Sequence, residues 1–433
     1  MGHVLLTREI GIPHTGRLEA VIRQSGFANL SVQDQAAIRA AASRYRFTYQ
    51  ELRQIINIAL DFAMWGELGI HEFFKEKSKR AAFGAVTWAW RELKRIPKTY
   101  DGFSGTSEPS RGGRKNPVRI DRETLGFGHC PAASENTRCC NLLTLDAAEG
   151  CGFDCAYCSI RSFYSPGAVG INRNFVRELK SLELSPHRTY HIGTGQASDS
   201  LIWGNKWGIL DALLDFAERH SNVILELKTK SDNVKHMISR PIPANVISTW
   251  SLNTDTVVKN EEHFTASVSR RLAAAAAVSE RGGLIGFHIH PMFHYDRWQA
   301  EYGALIARIQ EQFTAQDVAL ISLGTLTFTK GAIREIRGRK MRSKVLQMPL
   351  AEAAKKYSYP LSIKEELFRF AYKAFLSWHR DVFFYLCMED TALWPRVLGR
   401  KYASNGEFEA AMIRHYKKKI ESRGGGANAR FRG

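Results

Sequence analysis

No stretch of this 433-residue chain approaches the run of about 18 apolar residues that a membrane-crossing helix requires, so no membrane span is expected. The opening Met1-Gly-His-Val-Leu-Leu-Thr-Arg carries too short an apolar stretch for a secretory leader. No internal repeat and no coiled-coil heptad interrupts the chain. Cysteine is scarce and odd in number, seven in all with three of them clustered, which argues for a reducing compartment rather than a disulfide framework. A cytoplasmic protein is expected. Acidic residues are in deficit: 43 Asp and Glu stand against 61 Lys and Arg, a formal net charge of +18. Hydrophobic content of 44% with 24% charged residues is that of a globular protein, and the length exceeds one average domain.

An excess of positive charge on this scale implies a polyanionic partner, a solvated basic surface being the alternative. Two segments concentrate it. Lys330, Arg334, Arg337, Arg339, Lys340 and Arg342, followed by Lys344, face the single acid Glu335 and are the candidate nucleic-acid contacts. Seven Lys or Arg against one Glu fill the tail from Arg414 to Gly433, residues 414–433, which is expected to be disordered.

Residues 31–97 read as helical, with Ser31 as a cap and Asp34 three residues on. The aromatic-rich stretch from Phe62 to Trp90 suits helix packing. A helical N-terminal domain over 1–100 is expected, then a flexible basic linker over 101–124 that holds Gly102, Gly105, Arg111 and Pro117. From about residue 125 to 413, β-rich runs alternate with amphipathic helices. The strands expected are Leu142–Leu145, Tyr190–Ile192, Val223–Leu227, Val246–Leu252, Leu284–Ile289, Val318–Leu326 and Val382–Leu386. That alternation implies an α/β domain built on a partial (β/α) barrel of about six parallel strands. Chemistry in such barrels gathers at the carboxyl ends of the strands.

The run Cys151-Gly-Phe-Asp-Cys155-Ala-Tyr-Cys158 follows the first of those strands. Its C-x3-C-x2-C spacing puts three thiolates on one tight loop. A zinc site would complete itself with a fourth Cys or His at short spacing, and a four-Cys ferredoxin run is spaced differently. Three ligands can instead hold a [4Fe–4S] cluster with one iron open, the alternative being buried or zinc-bound cysteines. The motif resembles that of the radical S-adenosylmethionine enzymes. The resemblance implies that the open iron binds the amino and carboxylate groups of S-adenosylmethionine, and that an electron cleaves it to a 5′-deoxyadenosyl radical.

Further segments, in order, are similar to the spore photoproduct lyase family over roughly residues 127–400. They are Cys130-Pro with Cys139-Cys140, the cysteine loop, Gln196-Ala-Ser198-Asp199-Ser200-Leu201, Lys228-Thr-Lys230-Ser-Asp-Asn-Val, and Trp250-Ser251-Leu-Asn253-Thr. Then come Gly286-Phe-His-Ile-His-Pro291, Ile321-Ser-Leu-Gly324 and Tyr385-Leu-Cys387-Met-Glu389. The resemblance implies a cofactor site of Gln196, Ser198, Lys230, Ser251 and Asn253, with Lys230 toward the cofactor carboxylate and Tyr157 covering cofactor and substrate. Ordinary strand-end polar residues are the alternative for these positions. His288, His290 and His294 are read as pocket or core histidines rather than metal ligands. Cys130, Cys139 and Cys140 admit an auxiliary metal without a clear fourth ligand. The family's hydrogen-donor cysteine has no counterpart beside Gln196, and Ser159 replaces an aromatic. Cys387 either substitutes as donor or is a small buried hydrophobe.

The activity implied is radical repair of a DNA photolesion of the spore-photoproduct thymine-dimer type, with an electron donor such as flavodoxin or ferredoxin. A lesion in a duplex would have to be extruded to reach the barrel mouth. Modification of RNA or of another nucleic-acid-linked substrate is the second reading, and a non-catalytic iron–sulfur nucleic-acid-binding protein the third.

Overall fold

The computed structural model describes residues 14–107, 116–122, 124–130, 137–163, 168–353 and 356–430. The chain divides into two compact units: residues 1–109 with 333–349, and residues 110–332 with 350–433.

The helical unit starts with α1 (His14–Arg23) and α2 (Val32–Tyr45), the latter capped by Ser31, whose Oγ accepts from the Asp34 N–H at 3.0 Å. Helix α3 (Tyr49–Trp65) opens on a capping box between Thr48 and Glu51 and stops at Gly66, whose φ of 74° favours glycine. Helix α4 (Lys79–Arg95) is capped by Ser78. Leu52, Ile55, Ile56, Ala59 and Phe62 of α3 are buried, and so is Asp61, with no exposed surface. A carboxylate in such a place must be paired. Its oxygens accept from Trp90 Nε1 at 2.8 Å and from both Nε and Nη2 of Arg337 at 2.7 Å. The segment 333–349 is thereby part of the helical unit: Ser343 N donates to Met64 O at 2.9 Å, and Gln347 Nε2 to Glu67 Oε1 at 3.0 Å.

This placement corrects the expectation of one continuous phosphate-binding run. Arg337 is committed to Asp61, and Arg339 is only 4% exposed. Arg334, Lys340 and Arg342 remain exposed, and Lys330 pairs with Glu352 at 2.9 Å.

The second unit is built on one eight-stranded sheet: β1 (Phe127–His129), β2 (Leu143–Leu145), β3 (Tyr190–Thr194), β4 (Val223–Thr229), β5 (Val246–Leu252), β6 (Leu284–Met292), β7 (Val318–Thr325) and β8 (Phe383–Leu386). The strands lie in chain order; β2 to β8 are parallel neighbours and β1 is antiparallel on β2. That is a partial barrel of seven parallel strands with an antiparallel edge. An isolated bridge between Thr137 and Asp390 joins the chain before β2 to the chain after β8. Helices α5 (Ile209–Arg219), α6 (Val268–Glu280), α7 (Trp298–Gln312), α8 (Leu361–Ala374) and α9 (Asn405–Arg430) accompany the sheet.

Strand alternation separates an apolar outer face from a polar lining. Glu226 on β4 accepts from Thr249 Oγ1 at 3.0 Å and faces His191 Nε2 at 3.0 Å and His288 Nε2 at 2.7 Å; His290 reaches Ser322 Oγ at 2.8 Å. Burial and then Lys228 hold His288 down to about 4, so a neutral imidazole meets the Glu226 carboxylate.

Two segments expected to lack structure have it. Pro117–Ile120, within the presumed linker, pairs in parallel with Val169–Asn172; Arg111 lies outside the described residues. The basic tail continues helix α9, where Tyr416 is buried with its ring 5.5 Å from that of His191, and Arg423 Nη2 bonds Asp317 Oδ1 at 2.6 Å.

Arg337→Ala should destabilise the helical unit by about 3 kcal/mol or more, because it strands a buried carboxylate. Lys340→Ala at an exposed position should change stability by less than about 0.5 kcal/mol. Urea melts of the full chain compare the two.

Candidate active site

The cysteine loop leaves the carboxyl end of β2 and is strapped down by a two-residue antiparallel ladder, Asp154–Cys155 on Glu262–His263. Ala156 N donates to Glu261 O at 2.8 Å. Phe153, Cys155 and Ile202 form an apolar nucleus against which Cys151, Tyr157, Cys158, Trp203 and Phe264 pack, so the three thiols share one small neighbourhood. Gly152 is required there: a Cβ would stand 2.7 Å from Ile202 and 2.8 Å from Trp203.

Burial pushes the Cys151 and Cys155 thiols up, reinforced by Asp199 for the first and Glu262 for the second, while Lys230 draws both down. Thiols in that setting ionise on binding a cationic centre. Among the described residues no three His, Cys, Asp or Glu side chains converge on a single metal ion. Cys151, Cys155 and Cys158 would hold a cluster rather than a single ion. Two buried polar atoms, Ser198 Oγ and Trp203 Nε1 of the residue packed on the loop, lack a hydrogen-bond partner among the described residues. Ser198 and Trp203 also border a cavity of about 40 Å³ with Gly195 and Asp146. A three-thiol set with orphaned polar atoms next to it fits a cluster and a polar cofactor.

Beneath the loop lies a network that motif reading did not find. Glu262, 2% exposed, pairs with the fully buried Arg271 at 2.6 Å, approaches Lys230 Nζ at 3.6 Å, and accepts from the Tyr157 hydroxyl. Arg271 also donates to Ser251 O and Ala266 O, each at 2.8 Å. Burial opposes ionisation of Glu262, but Arg271, Lys230 and Tyr157 together outweigh it and hold the carboxyl below its ordinary value. No local signal marks it: Glu262 stands in the polar run Lys259–His263, and Arg271 directly follows Arg270.

The remaining expected site residues divide. Gly195 has φ +82° and a Cβ there would lie 2.6 Å from Lys228 O, so the turn after β3 needs glycine. Gln196 next to it is half-buried, with no partner for its side chain among the described residues. Asp199, unassigned from sequence, accepts from the N–H groups of Leu201, Ile202 and Lys230 at 3.1, 2.9 and 2.7 Å, and ties the ends of β3 and β4 together. Lys230 Nζ stands 5.7 Å from the Tyr157 ring centroid. Ser251 is buried on β5. Asn253 is fully buried, donates to Pro291 O at 2.7 Å and accepts from Tyr302 Oη at 2.7 Å. Cys387 closes β8, its N–H bonded to Leu323 O at 2.8 Å. Its thiol is pushed up to about 12 by burial, with Lys228, Cys130 and Cys139 as electrostatic neighbours.

Three clustered thiols at the carboxyl end of the first parallel strand of a partial barrel define a radical S-adenosylmethionine enzyme. The spore photoproduct lyase family model matches residues 135–362, more than half of the chain, and the chain belongs to that family. It is 23% identical over 245 residues to a spore photoproduct lyase of Geobacillus sp. (strain Y412MC61), covering 55% of this chain and 69% of the relative. With that of Bacillus subtilis (strain 168) it shares 28% over 138 residues, 31% of this chain and 39% of the relative. Among solved structures, a spore photoproduct lyase complexed with dinucleoside spore photoproduct superimposes with a TM-score of 0.54 at 21% identity, covering 62% of this chain and 82% of that one. A variant with bound S-adenosylmethionine and the dinucleoside gives 0.52, also at 21% identity and with the same coverage.

Glu262→Gln tests the buried network. The Glu262 carboxyl is depressed on folding, so its stabilisation is complete above the unfolded value of about 4.3 and drains away as pH falls toward the folded one. The variant should lose about 3–5 kcal/mol near pH 7 by stranding Arg271, and its stability should fall less steeply between about pH 5 and 3. Denaturant melts across that pH range read both effects.

Proposed function

We propose that this chain is a lyase that reverses a spore-photoproduct-type thymine dimer in DNA, with a [4Fe–4S] cluster on Cys151, Cys155 and Cys158 and with S-adenosylmethionine beside it. The observation that carries the reading is the gathering of these thiols with Tyr157 and Lys230 at the barrel rim. Bound there, cluster and cofactor supply a 5′-deoxyadenosyl radical, able to take hydrogen from the lesion.

The chain's own residues bind, orient and shield. Lys230 sits beside the loop and suits a carboxylate; Ser198 Oγ and Trp203 Nε1 offer hydrogen bonds not used within the protein. Tyr157 is fixed by its bond to Glu262 and by its ring contact with Phe293, 5.7 Å away. The strands behind it exclude bulk water, as radical chemistry requires. Cleavage of the methylene bridge leaves a thymine radical that must receive a hydrogen atom. Cys387 is proposed as the donor, its thiyl radical being returned to the thiol by a further electron from the carrier that starts the reaction and a proton from solvent. Burial keeps it a thiol at neutral pH, with its hydrogen in place, and β8 ends at the same rim as β2. The electron that starts the reaction would come from a flavodoxin- or ferredoxin-type carrier.

Cys155→Ala should abolish 5′-deoxyadenosine formation by anaerobically reconstituted protein, because two thiolates do not hold the cubane. Turnover at the wild-type rate by that variant would sink the assignment. Cys387→Ala should still form 5′-deoxyadenosine and still open a dinucleoside lesion, but yield adducts or oxidised by-products in place of two thymines. Mass spectrometry of the product distribution reads this. Clean repair would transfer the role to Tyr157 or to a reductant from solution.

A further inference from the structure

Helix α3 presents a polar stripe that no other described residue engages. Gln50, Arg53, Gln54 and Asn57 recur at helical spacing, and with Ile58, Trp90 and Arg337 they line a cavity of about 240 Å³. None of these four polar side chains has a hydrogen-bond or ion-pair partner among the described residues. The acids of the same helix are all engaged. Glu51 accepts from Thr48 N at 2.7 Å and pairs with Lys79 at 2.7 Å, and Asp61 is taken by Trp90 and Arg337. The charge of Arg53 is therefore left for something outside the chain.

The lining specifies its occupant. The Arg53 guanidinium calls for an anion, Arg337 being neutralised by Asp61, and three carboxamides offer paired donors and acceptors to a flat polar edge. The indole of Trp90, fixed through Nε1 by Asp61 and with Lys94 Nζ 5.0 Å from its ring centroid, adds aromatic surface to the lining. Phosphate, base edge and base face together are one nucleotide. A volume of about 240 Å³ falls below the roughly 300–1,000 Å³ of whole small-molecule sites and suits a single base. In a duplex that base would be stacked and its edge paired, so the match is to a single strand. The exposed Arg334, Lys340 and Arg342 belong to the same helical unit and extend its positive surface.

We propose that this α3–α4 cavity binds one nucleotide of single-stranded DNA, a polynucleotide site belonging to the helical unit itself. The choice of DNA rests on the substrate proposed above. The single-strand character rests on the cavity alone.

The test uses the full chain and an end-labelled, undamaged 12-nucleotide DNA strand, with affinity read by fluorescence anisotropy at several salt concentrations. Arg53→Glu, and separately the double variant Gln54→Ala with Asn57→Ala, should each weaken binding about tenfold or more. Arg53→Glu should also lower the salt slope by about 0.7, one phosphate contact on a single strand. Arg219→Glu, an equal charge change at an exposed position of α5, should leave affinity unchanged. All of these positions except the half-buried Asn57 are exposed, and circular dichroism verifies folding. Unchanged affinity in the cavity variants, or an equal loss in Arg219→Glu, overturns the proposal. So does an RNA strand of the same sequence that binds more than tenfold tighter than DNA. Turnover of a dinucleoside lesion is followed in parallel and should be unaffected by Arg53→Glu. If the wild-type protein opens no lesion but the cavity variants still lose the strand, the lyase reading fails and this site stands.

Discussion

Glu262 is an ionised carboxylate held at 2% exposure by Arg271, Lys230 and the Tyr157 hydroxyl, and the geometry of the rim depends on that arrangement. Charges removed from water are tolerated only when paired and hydrogen-bonded in good geometry, so the network has few alternative packings. Glu262 also supplies backbone to the ladder that holds Asp154–Cys155. The same residue therefore fixes where the thiol loop lies and where Lys230 and Tyr157 point. A loop without these ties would leave its three thiols at variable separations, and a cubane needs them placed together.

The barrel interior repeats the device further along the strands. Glu226 sits between His191 and His288 with Thr249 on the same oxygen as His288, and each strand from β3 to β6 contributes one member. A one-residue slip of any of these strands would turn its polar group outward into the helices and an aliphatic one inward. The polar lining thus specifies register across the parallel sheet, and register in turn sets which residues emerge at the carboxyl ends. Asp199 performs the equivalent task between β3 and β4 by capping one turn and binding the start of the next loop.

The helical unit is organised by a third buried acid. Asp61 gathers Trp90 from α4 and Arg337 from a segment more than 270 residues away in sequence. That pairing turns part of the basic run into interior structure and at the same time builds the floor of the α3–α4 cavity. Positive charge in this unit accordingly has two fates, internal neutralisation for Arg337 and exposure for Arg53, Arg334, Lys340 and Arg342.

The sequence by itself determined the strands, the parallel order and the thiol loop. Each rests on local information: β-rich runs alternating with helical periodicity, and three cysteines within eight residues. Only the tertiary structure decided the roles of isolated polar residues. Asn253 and Ser198 look alike in sequence as strand-end polar groups. One is consumed by Pro291 and Tyr302 and the other is left without a partner. Arg337 and Arg334 stand on one short basic helix, yet their fates differ because a single buried carboxylate lies in reach of one of them. Composition can announce that a charge exists, but its cost and its use depend on which side chains from distant parts of the chain surround it, and that is settled by packing.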